Sequence, residues 1–527
     1  MFRSFLDAIL ARPDQAAVLC LGVLTVLFLH SHKQRTKGKP LPCPKGIPVL
    51  GNALQIQATA PWVQMAKWGA ELGPIFRLNL GGQTAVVIND YRVASDLLDR
   101  RSSIYSDRPR MIMTSEIMCG GYFLPFMRYG NLWRKFRKAA HEGLSPQVAE
   151  SYLQVHEQES AILVEALAKQ PDAWLSHLYR AVASSTLSVC YGTPPIQSYD
   201  DPVVKDVQEF IHRLDVASKP GAYLVEMFPL LNRLPAWLAG WKRFGQFWHQ
   251  RDTVMFTNLY EDAKRKSRLD KSLYQPSISS LLFEKQELDD KAAAWTLGSL
   301  FSAGAFTTAA IHQVFVLAMI LHPQVMCKAQ AEIDRVVGKN RMPNAGDRDK
   351  LPYIRAVMRE TIRWRSVGPL GIPHYLIQDD VYEGYHIPKN SIVFFNEWAM
   401  NRDTKVYDDP ENFRPERFLD ETEQYEVIPP FTHDEGHTLF GYGRRRCPGA
   451  HVANNTILLN LATILWAFDI QKARDANGEL VTPDPDKQVD EGIVVVPADF
   501  PASFVIRDPD GFQRALAQAP QSDCIHP

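Results

Sequence analysis

Phe440-Gly441-Tyr442-Gly443-Arg444-Arg445-Arg446-Cys447-Pro448-Gly449 is the stretch that decides how the rest of the chain is read. One cysteine stands behind two glycines and three consecutive arginines, and an apolar run of helical length, 450–468, follows it. A thiol at the point where a loop enters a helix lies near the positive end of the helix dipole, and here Arg444 and Arg446 flank it. Both effects favour thiolate over thiol.

A single thiolate on a tight, glycine-permitted loop is what a haem iron needs as its proximal ligand, where it donates electron density and favours O–O cleavage. The stretch resembles the haem-binding signature of the cytochrome P-450 family, Phe-x-x-Gly-x-Arg-x-Cys-x-Gly. Phe440, Gly443, Arg445, Cys447 and Gly449 fill every fixed position. The resemblance implies haem b with Cys447 as axial iron ligand, Arg445 on a haem propionate and Phe440 shielding the sulfur.

Composition sets the frame. The chain has 527 residues, 46% hydrophobic and 22% charged, which suffices for a large core. The net charge of −1 argues for no nucleic acid or strongly charged partner. The seven cysteines (Cys20, Cys43, Cys119, Cys190, Cys327, Cys447 and Cys524) are odd in number and scattered, without a Cys-x-x-Cys pair. That speaks against a disulfide framework and a zinc site, and fits a reducing compartment.

The N-terminus is apolar. Residues 16–29 (AAVLCLGVLTVLFL) span about 21 Å as a helix, short of the roughly 20 residues of a comfortable bilayer span. A signal-peptide core, a short anchor or an interfacial helix all fit this length. No small-x-small cleavage site follows; Lys33, Arg35, Lys37 and Lys39 do, which by the positive-inside rule keeps the C-terminal side cytosolic. Residues 1–32 are therefore read as a single-pass signal anchor in the endoplasmic reticulum membrane. Residues 33–52, with alternating Pro40, Pro42, Pro44 and Pro48, are read as a basic, semi-rigid hinge. The catalytic domain is assigned to 53–508 and a tail to 509–527.

Within the body, 75–79 and 84–89 read as a hairpin of short strands across Gly81-Gly82. Up to about residue 365 the texture is then helical, broken by proline and glycine loops. The stretch 107–130 is rich in Met, Gly and aromatics and suits either a substrate pocket or loop packing. Trp133 and Arg137 share one face of a helix over 131–141. By resemblance both reach a propionate, while Arg134, Lys135 and Lys138 form either a docking patch or a solvated face. The aromatic segment 220–248 fits a membrane-surface element, an access lid or core packing.

A long apolar helix is expected over 290–322, stopped by Pro323. Ser299, Ser302, Thr307, Thr308 and His312 inside it point to a buried central helix rather than a membrane span. Its middle, Ala303-Gly304-Ala305-Phe306-Thr307-Thr308, resembles the family's oxygen-binding segment, in which Gly304 leaves room and Thr307 assists oxygen activation. Phe306 stands where the family usually has Asp or Glu, so proton delivery must take another route, or coupling is poor, or the reaction needs little proton supply. Glu360-x-x-Arg363 and the later Arg417 resemble the family's buried structural triad, whose charges must satisfy one another. His374, by resemblance, meets a propionate; from the residues alone it reads as well as a solvated histidine. The segment 491–509 reads as a hairpin with an apolar tip toward substrate.

The resemblance implies a mainly α fold with a small β region (α+β). It implies a membrane-bound haem-thiolate monooxygenase acting on an apolar small molecule, closest in phrasing to fungal secondary-metabolism members. No Gly-x-Gly-x-x-Gly fingerprint occurs, so electrons should come from NADPH through cytochrome P-450 reductase, with cytochrome b5 as an additional donor. Two alternatives stand beside this reading: a haem-thiolate isomerase, dehydratase or desaturase without net oxygen insertion, and a non-catalytic membrane haem-binding protein.

Overall fold

The computed structural model describes residues 38–57, 59–219, 221–269 and 276–519. The apolar run 16–29, the cations from Lys33 to Lys37, and Cys20 and Cys524 lie outside the described residues. The described chain is mainly helical, with small sheets at its edge.

The helix Asp290–Leu321 is its axis. The Asp289 side chain caps the N-terminus by accepting from the Ala292 N–H at 2.8 Å, and Pro323 follows the end. The helix is long and apolar enough to cross a membrane, yet 78% of its most apolar window is buried inside the protein. Its hydroxyls donate back to carbonyls one turn earlier: Thr296 to Ala292, Ser299 to Trp295 and Ser302 to Gly298, all at 2.7 Å. Such back-bonding lets polar residues enter a core without an unsatisfied donor. Gly298 admits the Phe256 ring, since a Cβ there would lie 2.4 Å from Cδ1.

Helix Ala450–Ala467, which follows the cysteine loop, packs on this axis and on Leu153–Lys169, Pro323–Val336 and Pro352–Trp364. At their contact lies a buried polar chain. His312 Nδ1–H donates to the Thr308 carbonyl (2.7 Å), Asn460 Nδ2 donates to His312 Nε2 (3.0 Å), and Ser160 donates to Asn460 Oδ1 (2.7 Å). Burial pushes His312 down to about 4. The folded protein thus refuses a proton that the unfolded chain accepts below about 6.5. We expect the stability advantage of the parent over His312→Gln to shrink by about 1.4 kcal/mol per pH unit between about pH 6.5 and 4. Paired denaturant melts would check it, and a pH-independent difference would mean His312 is solvated.

The main sheet orders Ile75–Leu80, Gln83–Ile88, Ile392–Phe395 and His374–Tyr375. Gly81 (φ 63°) and Gly82 (φ 96°) give the left-handed turn a two-residue hairpin requires. Two expectations are corrected. The proline-rich segment is no free spacer from residue 38 on: Lys39–Pro40 pairs in parallel with Tyr385–His386, Arg77 N–H donates to the Pro42 carbonyl, and Leu41 is buried. An extended proline run fits a sheet edge because it lacks donors to waste there. At the other end, Val495–Pro497 pairs with Gln488–Asp490, and Ala502–Ile506 with Phe468–Lys472, rather than with each other. Pro497 and Pro501 bracket the link and cannot donate to a shared ladder. Beyond them, Pro509–Gln518 is a helix capped by Asp508 that buries Phe512 against Trp466 and Phe468, so most of the tail packs on the core.

The segment 221–248 is only partly core: Val225 is buried, with Tyr223, Leu231 and Trp241 packed beside it, while much of its apolar surface is uncovered. Leu224, Leu230 and Trp237 are 62%, 71% and 73% exposed, and Phe228 and Phe247 are exposed beside them.

Candidate active site

The loop before Ala450 is shaped by its glycines. Gly443 has φ 54° and donates its N–H to Asp99 at 2.6 Å, and a Cβ there would lie 2.2 Å from the Leu98 carbonyl oxygen. Only glycine fits this close approach. Gly443 therefore docks the loop on 95–100 and does not line the cavity. The turn closes with Cys447 N–H donating to the Phe440 carbonyl at 2.7 Å.

That turn opens onto a large cavity of about 300 Å³. It gathers Cys447, Arg445, Phe440 and Gly449 from the loop, Trp133 and Arg137 from helix Asn131–Leu144, and His374 from the sheet. Gly304, Thr307 and Thr308 of the central helix complete it. Trp133, Phe136, Ala140 and Leu144 form the buried face of their helix, which turns Arg137 inward and leaves Arg134, Lys135 and Lys138 exposed.

Electrostatics at Cys447 differ from the sequence expectation. Desolvation by the surrounding protein raises the thiol against the Gly449 backbone N–H, Arg137 and Arg446, although the residue itself is exposed on the cavity. Arg444 contributes nothing: it reaches away to the Tyr129 hydroxyl. The cation that faces the sulfur comes instead from Arg137, 310 residues earlier. A bound metal would supply the remaining charge that makes the thiolate.

Three arginines converge on the same cavity. Arg445 donates Nε to the Ser106 carbonyl (2.6 Å) and Nη2 to the Met127 carbonyl (2.7 Å), while its buried Nη1 has no protein partner. Burial lowers it to about 9. Arg108 lies buried with Nε on the Pro125 carbonyl and Nη1 on the carbonyls of Ile372 and Pro373. Arg137 hydrogen-bonds no described residue. No carboxylate lines the cavity among the described residues. Converging buried cations around an apolar space, one with an orphaned N–H, fit an anionic group such as the propionate edge of haem.

His374 is buried, which rules out the solvated reading. Its Nδ1–H donates to the Tyr105 carbonyl at 2.9 Å, and burial, Arg108 and Arg445 hold it well below the usual histidine range. Its Nε2 can donate to an anion only as imidazolium, a form that a bound carboxylate would favour.

On the central helix, Thr307 donates to the Ala303 carbonyl at 2.9 Å and keeps its oxygen on the cavity. Phe306 does not line this cavity. Its ring stacks on Tyr179 (centroids 6.2 Å, 29°) beside a separate small cavity under helix Pro202–Ser218. It therefore does not narrow the space beside Thr307. Away from the cavity, Glu360 receives Arg363 Nε at 2.7 Å and Nη2 at 2.9 Å, and Arg417 Nε at 3.1 Å, all three side chains being buried. Sequence reading missed Arg108. Its only local context, Asp107-Arg108-Pro109-Arg110, reads as an ordinary charged loop.

Comparison with known proteins follows the same line. The family model described as Cytochrome P-450 matches residues 41–495. Cytochrome P-450 monooxygenase 58 of Postia placenta is 45% identical over 489 residues, 92% of each chain. A cytochrome P-450 monooxygenase of Armillaria gallica is 40% identical over 505 residues, 95% of each. One of Ampulloclitocybe clavipes is 34% identical over 90% of this chain and 88% of its own.

Proposed function

From the premise that the chain belongs to the cytochrome P-450 family, as a monooxygenase akin to those of fungi, we propose that it hydroxylates an apolar small molecule in secondary metabolism at a membrane. The family works with haem b on an axial cysteine thiolate, dioxygen and NADPH-derived electrons, and it takes small-molecule substrates with a redox partner. Haem supplies the activation of dioxygen.

The protein's own residues do the rest. Cys447 would ligate the iron, with Phe440 and Gly449 lining the cavity beside the sulfur. Arg445, Arg108, Arg137, Trp133 and His374 would hold the carboxylate edge of the haem. Thr307 holds a hydroxyl where a proton must arrive. Substrate lies against Leu124, Leu300, Val367, Ile372, Ile493 and Val494. The observation that carries the reading is this single cavity, in which a cysteine, an orphaned arginine N–H and an apolar wall without a carboxylate meet. Such a wall favours uncharged substrates.

Exposed Leu230 and Trp237 support membrane contact, because a soluble surface seldom leaves such groups uncovered. Exposed Arg134 and Lys135 on the helix carrying Trp133 support docking of NADPH–cytochrome P-450 reductase there, with cytochrome b5 as an additional donor. The N-terminal anchor and an endoplasmic reticulum location belong to the same proposal.

Metabolites of a producing strain and of the same strain lacking this protein, compared by exact mass, test it. The missing product should exceed the accumulated precursor by one oxygen atom. Equal composition, or a difference of one water, would replace monooxygenation by an isomerase or dehydratase reaction, and loss of two hydrogens by desaturation.

A further inference from the structure

The hairpin Gln488–Pro497 carries two cavity-lining residues, Ile493 and Val494, at its turn. Its stem is fixed from two sides: Val495 N–H donates to the Val367 carbonyl at 2.9 Å, and Gln313 Nε2 donates to the Pro497 carbonyl at 3.1 Å. The turn itself is held from a third direction, by helix Pro202–Ser218. Lys219, just past that helix, donates Nζ to the Asp490 carbonyl at 2.9 Å. His212 Nδ1 lies 3.5 Å from Glu491 Oε2. Between them sits Gly492, with φ 128°, so close to the helix that a Cβ would lie 2.4 Å from the Asp215 carbonyl oxygen. Neither that φ nor that distance admits a side chain. The Asp215 carboxyl is buried against the turn and leaves Oδ2 unpartnered. Burial and Glu491 push it up to about 8, so it sits beside Glu491 and Asp490 as a neutral acid, without repulsion.

We propose that this clasp of Asp215, Lys219 and His212 on Asp490-Glu491-Gly492 sets how far Ile493 and Val494 reach into the cavity, and so fixes the length of substrate the site accepts. These are positioning residues, and Gly492 is the pivot. The same helix places Val207 and Ile211 over the small cavity beside Phe306, so it forms the roof from which the turn hangs. The inference rests on the haem-site reading but not on which reaction the site performs.

The test uses full-length, haem-loaded protein and a ladder of 1-alkylimidazoles of increasing chain length, whose nitrogen ligates iron and whose binding is read from the haem absorption band. Gly492→Ala should shift the turn and change the affinity for the longer members roughly three- to tenfold, the worth of one or two hydrogen bonds, leaving imidazole itself unchanged. Lys219→Met with His212→Gln, which adds no backbone strain, should move the ladder in the same sense. It carries the test if Gly492→Ala does not load haem. An unchanged chain-length profile in a haem-loaded variant overturns the clasp. A parent protein that shows no imidazole-induced band shift overturns the haem-site reading instead, so the two failures are distinct.

Discussion

Replacing Glu360 by alanine is expected to cost the fold about 3–5 kcal/mol, because it strands two buried guanidinium groups. Arg363 places two donors on Glu360 and one each on the carbonyls of Asn401 (2.7 Å) and Pro410 (2.9 Å). Arg417 reaches Glu360 and the Asp408 carbonyl (2.6 Å). Glu360 also receives the Arg414 backbone N–H at 2.7 Å, which ties helix Pro352–Trp364 to the segment before the cysteine loop. Without the carboxylate, the two cations face each other with only carbonyl partners, Arg363 being fully buried and Arg417 nearly so. Against a total stability of about 5–15 kcal/mol, that is a large share. A thermal melt should drop by about 3–5 °C, if the variant accumulates as folded protein at all. A drop within a degree or two would show that the triad is solvated and does not brace the core.

The second large effect is at Cys447. Cys447→Ala should abolish the thiolate-type absorption of the reduced carbon-monoxide complex and all turnover with reductase. The alanine fits the loop, since the Cys447 N–H to Phe440 bond is made by backbone atoms alone. The orphaned Arg445 N–H and the Arg108 and Arg137 guanidiniums remain to hold the carboxylate edge, so haem can still be retained while its ligand changes. A thiolate-type spectrum surviving in this variant would mean that another residue ligates the iron.

How much of this was legible beforehand follows from how local each feature is. The cysteine loop is a ten-residue stretch whose glycines and arginines lie side by side, and the hairpin across Gly81-Gly82 is set by its own turn. The central helix announced itself through a long, mostly apolar run ended by Pro323. Directions were not legible. Whether Phe306 faced the cavity or Tyr179 depended on which neighbour helix packed against that flank. Arg444 and Arg446 looked equivalent beside Cys447, yet one turns to Tyr129 and the other to Glu435. Arg108 gave no periodicity or motif to read, because its role comes from carbonyls more than 260 residues away. Strand partners of Val495–Pro497 and Ala502–Ile506 were misjudged for the same reason: proximity in sequence suggested a pair that the intervening prolines forbid.

The most direct measurement supplies the purified, haem-loaded protein with reductase, NADPH, the precursor that accumulates in its absence, and dioxygen of heavy isotope. The account predicts a product that carries one heavy oxygen atom, formed only when NADPH is present. A product without the label, or one formed equally well without NADPH, would contradict monooxygenation.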